Sequence, residues 1–334
     1  MCGRRWAPAQ SNADLPAAYG LGMTESVDGL EIGLLGLRHA AAERALRLEG
    51  IHVIRKARPP ASFRWSPDER RDVWSVSKTF TSVAVGIAQG DGLLRLDDPV
   101  LTHLPQFAES AAPGVDQVTI RHLLCMTSGI DYRWPDPDAD HVGDPARDFL
   151  ATSPVAAPGT WHAYRGTSSY VLSRIIAAAS GSDLRDYLMP RLFEPLGIRN
   201  PQWHRCPLGF SLGAAGLFLR TEEIARLWLT LLDAGKYDGR QLIPEAYVAL
   251  MHQTATPTNR TLAGPAGLPD LDNAVYGLHC WHCSRDDAWR MDGLYGQFCI
   301  MFPHQQACIA VTANYDKAPG DILDAIWTEV VPYL

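Results

Sequence analysis

The sequence predicts an α/β (α+β) fold: an antiparallel sheet flanked by helices, with a mostly helical middle third. Three observations carry that expectation. Strand-like runs stand near residues 51–65, helical periodicity dominates from residue 76 to residue 232, and strand periodicity returns over residues 275–312 before a last helix. At 334 residues and 46% hydrophobic, the chain can bury one large core or two modest ones. Its formal charge of -7 is mild and no long basic or acidic run occurs, so the composition points away from nucleic acid and charged membrane surfaces as partners.

Residues 1–29 are rich in Ala, Pro, Gly and polar residues without periodicity, and are expected to form an irregular surface segment. The N-terminus lacks the apolar core of a signal peptide, and no apolar run reaches the length of about 18 residues that spans a bilayer. A cytoplasmic protein is the expectation. A helical patch around Ala40 to Leu48 is expected to end at Gly50, and Ile51–Ile54 and Ala61–Trp65 then read as a hairpin joined through Pro59 and Pro60.

Trp74-Ser75-Val76-Ser77-Lys78-Thr79-Phe80 follows, with apolar residues at Val76, Phe80, Val83 and Ile87 until Gly90-Asp91-Gly92 stops the pattern. The period is helical. Positions three apart share a helix face, so the Ser75 hydroxyl and the Lys78 amine can come within hydrogen-bond reach. A serine hydroxyl becomes a good nucleophile once a base takes its proton, and lysine can be that base where burial or positive neighbours lower its pKa. The same spacing also suits an N-capping serine followed by a solvated lysine, so the neighbouring segments have to decide.

After a turn-rich connector over residues 92–100, Thr119–Ile130 reads as a short helix capped by Thr119 and ending at Gly129, with His122 in a structural role. Asp131–Asp148, rich in Asp and Pro, reads as a long loop of the kind that forms lids or substrate walls. Tyr164 sits in the turn before a helix over residues 168–176. It is either a packing residue or, near two cations, a phenol able to exchange protons. Helices over Leu184–Leu192 and over Thr221–Leu232, the latter capped by Thr221, complete the middle third.

The last third reads as antiparallel strands at Val275–Trp281, Ala288–Met291, Phe298–Phe302 and Cys308–Thr312, closed by a helix over Asp321–Val331. Asp292-Gly293-Leu294-Tyr295-Gly296-Gln297 is a tight connection whose glycines either let backbone approach a ligand or simply turn a hairpin. Seven scattered cysteines in a chain of this size read as free thiols. His279-Cys280-Trp281-His282-Cys283 packs four possible ligands into five residues. Zinc usually takes ligands from separated segments and strand side chains alternate in direction, so a strand of mixed polarity is expected and a metal is not.

Several of these stretches together resemble the serine hydrolases of the class C β-lactamase and penicillin-binding-protein superfamily. The resemblance is carried by residues 74–80, Leu-Arg-Leu-Asp-Asp-Pro-Val at 94–100, and Ile-Arg-His-Leu-Leu-Cys-Met-Thr-Ser-Gly-Ile at 120–130. Pro-Gly-Thr at 158–160 before Tyr164, Leu-Phe-Glu-Pro-Leu-Gly-Ile at 192–198 and Gly-Leu-Tyr-Gly-Gln at 293–297 continue it in the family's order. The last match and the spacing from Tyr164 to Tyr170 are most similar to the 6-aminohexanoate-dimer hydrolase and carboxylesterase branch.

The resemblance implies a β-lactamase/transpeptidase-like fold, with an α/β domain from residues 30–100 and 235–334 and an inserted helical domain at residues 101–234. It implies Ser75 as nucleophile, Lys78 as its base, Tyr164 as the shuttle that protonates the leaving group, and the backbone N–H groups of Ser75 and Leu294 as oxyanion hole. Arg165, Gly166, Asp292, Gly293 and Tyr295 would line the substrate groove, and no cofactor or metal is implied.

Two substitutions depart from the family pattern. Tyr-x-Asn becomes Tyr164-Arg165-Gly166, removing a substrate-holding amide, and the Lys-Thr-Gly box becomes Met291-Asp292-Gly293. An Asp292 facing the groove would repel an anionic substrate and favour a neutral or amine-bearing one. The expected partner is a small ester or amide, hydrolysed through an acyl-enzyme. The alternatives are transfer of the acyl group to an amine or alcohol, and a sensor module without turnover.

Overall fold

Strands from both ends of the chain meet in one eight-stranded antiparallel sheet, and the helical middle packs against one of its faces. The computed structural model describes residues 28–134, 143–258, 275–283 and 285–334. The irregular segment expected at residues 1–29 therefore lies almost wholly outside the described residues, as does Cys2. The six other cysteines are free thiols.

The chain begins with α1 (Gly29–Glu43), then β1 (Leu48–Arg55), β2 (Ala61–Arg64) and β3 (Arg71–Asp72). The helical middle comprises α2 (Ser77–Gly90), α3 (Val100–His103), α4 (Ile120–Leu124), α5 (Pro145–Leu150), α6 (Gly166–Ser180) and α7 (Leu184–Leu188). β4 (Phe218–Leu219), α8 (Thr221–Leu232), the small hairpin β5 (Lys236–Tyr237) with β6 (Arg240–Gln241), α9 (Glu245–Gln253) and β7 (Thr256–Pro257) follow. The chain closes with β8 (Val275–Gly277), β9 (Cys280–His282), β10 (Trp289–Gly293), β11 (Gln297–Phe302), β12 (Ala307–Ala313) and α10 (Gly320–Glu329). Strand order in the large sheet is β2-β1-β12-β11-β10-β9-β8-β7. Among the described residues no helix is long and apolar enough to cross a membrane.

Period-two alternation sorts the sheet's side chains between two cores. Phe298, Ile300 and Phe302 of β11 join Leu30, Leu37, Ile322 and Ile326 of α1 and α10, while Cys299 and Met301 join the core shared with α2 and α8. α2 is the centre of that second core: twelve of its residues, from Ser77 to Ala88, are buried. Truncating one of its large side chains, such as Phe80, is expected to cost about 3–5 kcal/mol.

Several boundaries differ from the sequence reading, each because a distant partner outweighs local pattern. The first helix begins at Gly29 and stops at Glu43, and Ala45 (φ 52°) turns the chain so that Leu48 and Gly50 pair with Ala313 and Thr312 of β12. Val275–Trp281 is two strands rather than one, because Leu278 and His279 (φ 43° and 65°) form the turn that folds β9 back on β8. Thr119 does cap α4, accepting from His122 N at 3.3 Å while His122 Nδ1 accepts from Thr119 N at 3.1 Å, but the helix ends at Leu124, before Gly129.

Thr221 does not cap α8. Glu223 accepts from the Arg220 N–H instead, and the Thr221 hydroxyl pairs with that of Thr312 at 2.8 Å. Pro190 lacks an N–H, so α7 gives way after Leu188 to a wider turn over Met189–Phe193. Of the expected loop at 131–148, residues 135–142 lie outside the described residues. Asp144 caps α5, which makes 145–148 helical.

Candidate active site

β3 delivers the chain to the Trp74–Phe80 segment. It pairs with β4, and the Val73 N–H continues the pairing to Leu217 O at 2.9 Å. Trp74 then turns sharply at φ 50°, a backbone region unusual for a side chain of that size, and a single tight turn over Trp74–Val76 leads into α2. Asp72 Oδ1 accepts from Trp74 N at 2.7 Å and from Gly216 N at 3.0 Å. Burial raises the Asp72 carboxyl pKa, and the two N–H groups oppose that rise.

Ser75 stands on this turn and Lys78 in the first turn of α2. The Lys78 amine is 2.7 Å from Ser75 Oγ and donates to Ala214 O at 2.9 Å, and it lies 4.9 Å from the centre of the Tyr164 ring. Only 4% of Lys78 is exposed, so it is not a solvated lysine. Ser77 is fully buried, and its hydroxyl accepts from Leu217 N at 3.3 Å. The two serines of the motif are thus separated into one beside the amine and one in the packing.

Residues 213–217 run along this helix and are bonded to it or its entry turn repeatedly. Gly213 O accepts from Thr81 Oγ1 at 2.8 Å, Ala214 O from Lys78, and Gly216 N and Leu217 N donate to Asp72 and Ser77. Nothing in the sequence of this stretch marks that role, because carbonyl groups carry no residue signature.

Tyr164 is held by aromatic neighbours. Its ring stacks on Trp281 (5.4 Å, 28°) and meets the edge of Tyr276 (5.8 Å, 87°). Behind it, Tyr276 Oη lies 3.2 Å from His279 Nδ1, and His279 Nε2 lies 3.0 Å from Ser169 Oγ. Burial, reinforced by the Lys78 charge, pushes the His279 imidazole down to about 3, so it is neutral at ordinary pH. Burial likewise raises the Tyr276 phenol well above its usual value.

The expected groove residues take varied positions. Arg165 folds back: Nε donates to Asp131 at 2.7 Å and Nη1 to Tyr164 O at 3.2 Å, so its charge is compensated locally. Gly166 opens α6 where a Cβ would stand 3.3 Å from that of Ala214. Asp292 accepts from the fully buried Arg290 at 2.9 Å. That ion pair offsets the repulsion expected from a bare carboxylate.

Gly293 brings β10 against the entry to the Trp74–Val76 turn, since any Cβ there would stand 2.4 Å from Val73 O. Leu294 and Tyr295 follow in the turn to β11, 59% and 40% exposed, with the Tyr295 ring edge-on to Trp74 at 5.2 Å. Gln297 donates to Leu294 O at 3.2 Å and to Ala313 O at 2.6 Å, which fixes the Leu294 peptide relative to the sheet.

The His279–Cys283 run disperses. Its members contact Ser169, Thr79, Trp289 and Arg290 respectively through His279, Cys280, His282 and Cys283. Among the described residues no group of three His, Cys, Asp or Glu side chains could hold a metal. Sequence reasoning passed over Asp72, Ala214 and Trp281, and it flagged His279 for a different chemistry.

A beta-lactamase family model matches residues 50–330. The chain is 34% identical to esterase EstB of Burkholderia gladioli over 144 residues, 38% of this chain and 36% of that protein. It resembles the structure of a 6-aminohexanoate-dimer hydrolase candidate from Bacillus anthracis at TM-score 0.72 and 16% identity, covering 89% of this chain and 80% of that one. It also resembles EstCE1, described as a hydrolase with promiscuous acyltransferase activity, at TM-score 0.69 and 19% identity, covering 90% and 98%. The matches to curated relatives span about a third to a half of those proteins' lengths.

Proposed function

The chain belongs to the beta-lactamase family, and on that premise we propose that it is a serine hydrolase cleaving a small ester or amide through an acyl-enzyme on Ser75. The observation that carries this reading is the 2.7 Å approach of the buried Lys78 amine to Ser75 Oγ, with the Tyr164 ring 4.9 Å from that amine. In this reading Lys78, as the free amine, takes the Ser75 proton while Oγ forms its bond to the substrate carbonyl carbon. The Ser75 and Leu294 N–H groups receive the resulting oxyanion, each donor being worth about 3 kcal/mol of transition-state stabilisation. Tyr164 passes the proton to the departing alkoxide or amine, and water, deprotonated by the same groups, then releases the acid and restores Ser75.

Met291 stands where a lysine would complement a β-lactam carboxylate, and the Arg290–Asp292 pair adds no net charge. The missing lysine favours a neutral substrate over an anionic one, and the paired Asp292 leaves that preference unchanged.

A second reading keeps the acyl-enzyme but hands the acyl group to an amine or alcohol. It is supported by the likeness to EstCE1, and the exposed Tyr295 ring, edge-on to Trp74 beside Ser75, offers apolar surface on which an acceptor could compete with water.

The test is p-nitrophenyl butyrate turnover with intact-protein mass spectrometry on wild type and Ser75→Ala. Sustained p-nitrophenol release that depends on Ser75, with a transient butyryl mass on the wild type, is the expected result. Undiminished release by the variant would sink the proposal. Product analysis with an added alcohol or amine separates hydrolysis from transfer.

A further inference from the structure

We propose that Asp72 is a positioning residue for this site, its Oδ1 clipping the nucleophile turn to the 213–217 segment so that Ser75 Oγ and Lys78 Nζ are held in register. The inference rests on the reading of Ser75 as nucleophile. One carboxylate oxygen accepts from two backbone donors far apart in sequence, Trp74 N at 2.7 Å and Gly216 N at 3.0 Å. The first donor precedes Ser75 by one residue. The second follows Ala214 by two, and Ala214 O is the anchor that Lys78 uses besides Ser75.

The local backbone explains why such a clip is needed. Trp74 holds φ at 50°, a conformation that persists in a bulky residue only where the surroundings impose it. Without Asp72, the Trp74 and Gly216 N–H groups would both lose their acceptor in a partly desolvated place, and the turn could relax toward ordinary φ. A relaxation there moves Ser75 directly. Burial raises the Asp72 pKa, a cost to a carboxylate in this setting that these two bonds, and after them the nearby His204 and Lys78, offset only in part.

The segment would not come loose altogether. Thr81 to Gly213, Ser77 to Leu217 and Trp203 Nε1 to Ala215 O at 3.0 Å all remain, as does Val73 to Leu217. Loss of the clip is therefore expected to disturb alignment more than folding. The chemistry required of residue 72 is acceptor strength at the reach of an Asp or Asn side chain. Serine, being shorter, would serve Trp74 N but not Gly216 N.

The experiment measures the rate of Ser75 labelling by a fluorophosphonate, together with kcat and KM for p-nitrophenyl butyrate and Tm, in wild type, Asp72→Ala, Asp72→Asn, Asp72→Ser and Ser75→Ala. Asp72→Ala is expected to slow labelling and kcat by about 10- to 100-fold with KM within about twofold, the size that a misplacement near 1 Å produces. Asp72→Asn, which keeps the acceptor, should stay within about threefold of wild type, and Asp72→Ser should fall between.

An Asp72→Ala enzyme with near-normal kcat, a change confined to KM, or an Asp72→Asn enzyme as slow as Asp72→Ala would each overturn the proposal. Should Asp72→Ala fail to fold, the Asn and Ser variants decide between the same outcomes. Labelling that persists undiminished in Ser75→Ala would refute the Ser75 reading itself, a result distinct from all of these.

Discussion

The Lys78 amine and the Ser75 hydroxyl lie 2.7 Å apart on one face of the same helical entry, with the amine almost wholly withdrawn from solvent. The Ala214 carbonyl accepts from the amine on another side, so the amine is held within hydrogen-bond distance of Ser75.

Replacing Ser75 by Ala should abolish turnover, whereas Ser77→Ala should leave kcat within a few-fold of wild type. The second variant instead strips the acceptor from the buried Leu217 N–H and should cost about 1–3 kcal/mol of stability. Steady-state assays beside urea melts of both variants separate the two effects.

Tyr164→Phe keeps the ring that stacks on Trp281 and removes only the hydroxyl. The expected loss is about 10²- to 10⁴-fold in kcat, typical of a proton-transfer group, with Tm almost unchanged. A kcat near wild type would reassign Tyr164 to packing.

Gly293→Ala would place a Cβ 2.4 Å from Val73 O, backbone that cannot move aside without displacing the Trp74–Val76 turn that carries Ser75. Such overpacking typically costs about 1–3 kcal/mol, and the kcat should fall because the Leu294 N–H shifts relative to Ser75. Unaltered melting and turnover would show that β10 can retreat freely.

Acid stability should depend on His279. Its imidazole is pushed down to about 3 in the fold, while an exposed histidine titrates near 6.5. Between those values the unfolded chain binds the extra proton, so stability rises with pH through the window and is lost as pH falls from 6.5 toward 3. One such proton gives a slope of at most about 1.4 kcal/mol per pH unit. His52, His122 and His282, also lowered by burial, add slope of the same sign. Denaturant midpoints of wild type and His279→Gln between pH 6 and 4 should show the smaller slope in the variant, and equal slopes would exclude His279 as a contributor.

Local periodicity made much of this protein legible. The repeat at Val76, Phe80, Val83 and Ile87 puts Ser75 and Lys78 on one side of a helix whatever surrounds it, and the short, nearly continuous apolar runs of β11 and β12 are enough to mark strands. The hairpin of β1 and β2 was equally visible, since its two strands are neighbours in sequence. Where the reading slipped, at Leu48–Gly50, at Leu278–His279 and at the cap of α8, the deciding bonds came from β12, from a two-residue turn and from Glu223.

The sequence by itself determined that a serine and a lysine stand three residues apart at a helix start and so share a face, because a spacing of three residues is a property of the backbone alone. Only the tertiary structure decided that Lys78 is buried, that Ala214 O and the Tyr164 ring meet it, that Arg290 neutralises Asp292, and that Asp72 joins the two segments around Ser75. Those relations depend on backbone carbonyls and N–H groups brought together from distant parts of the chain, and such groups are the same in every residue type until folding places them.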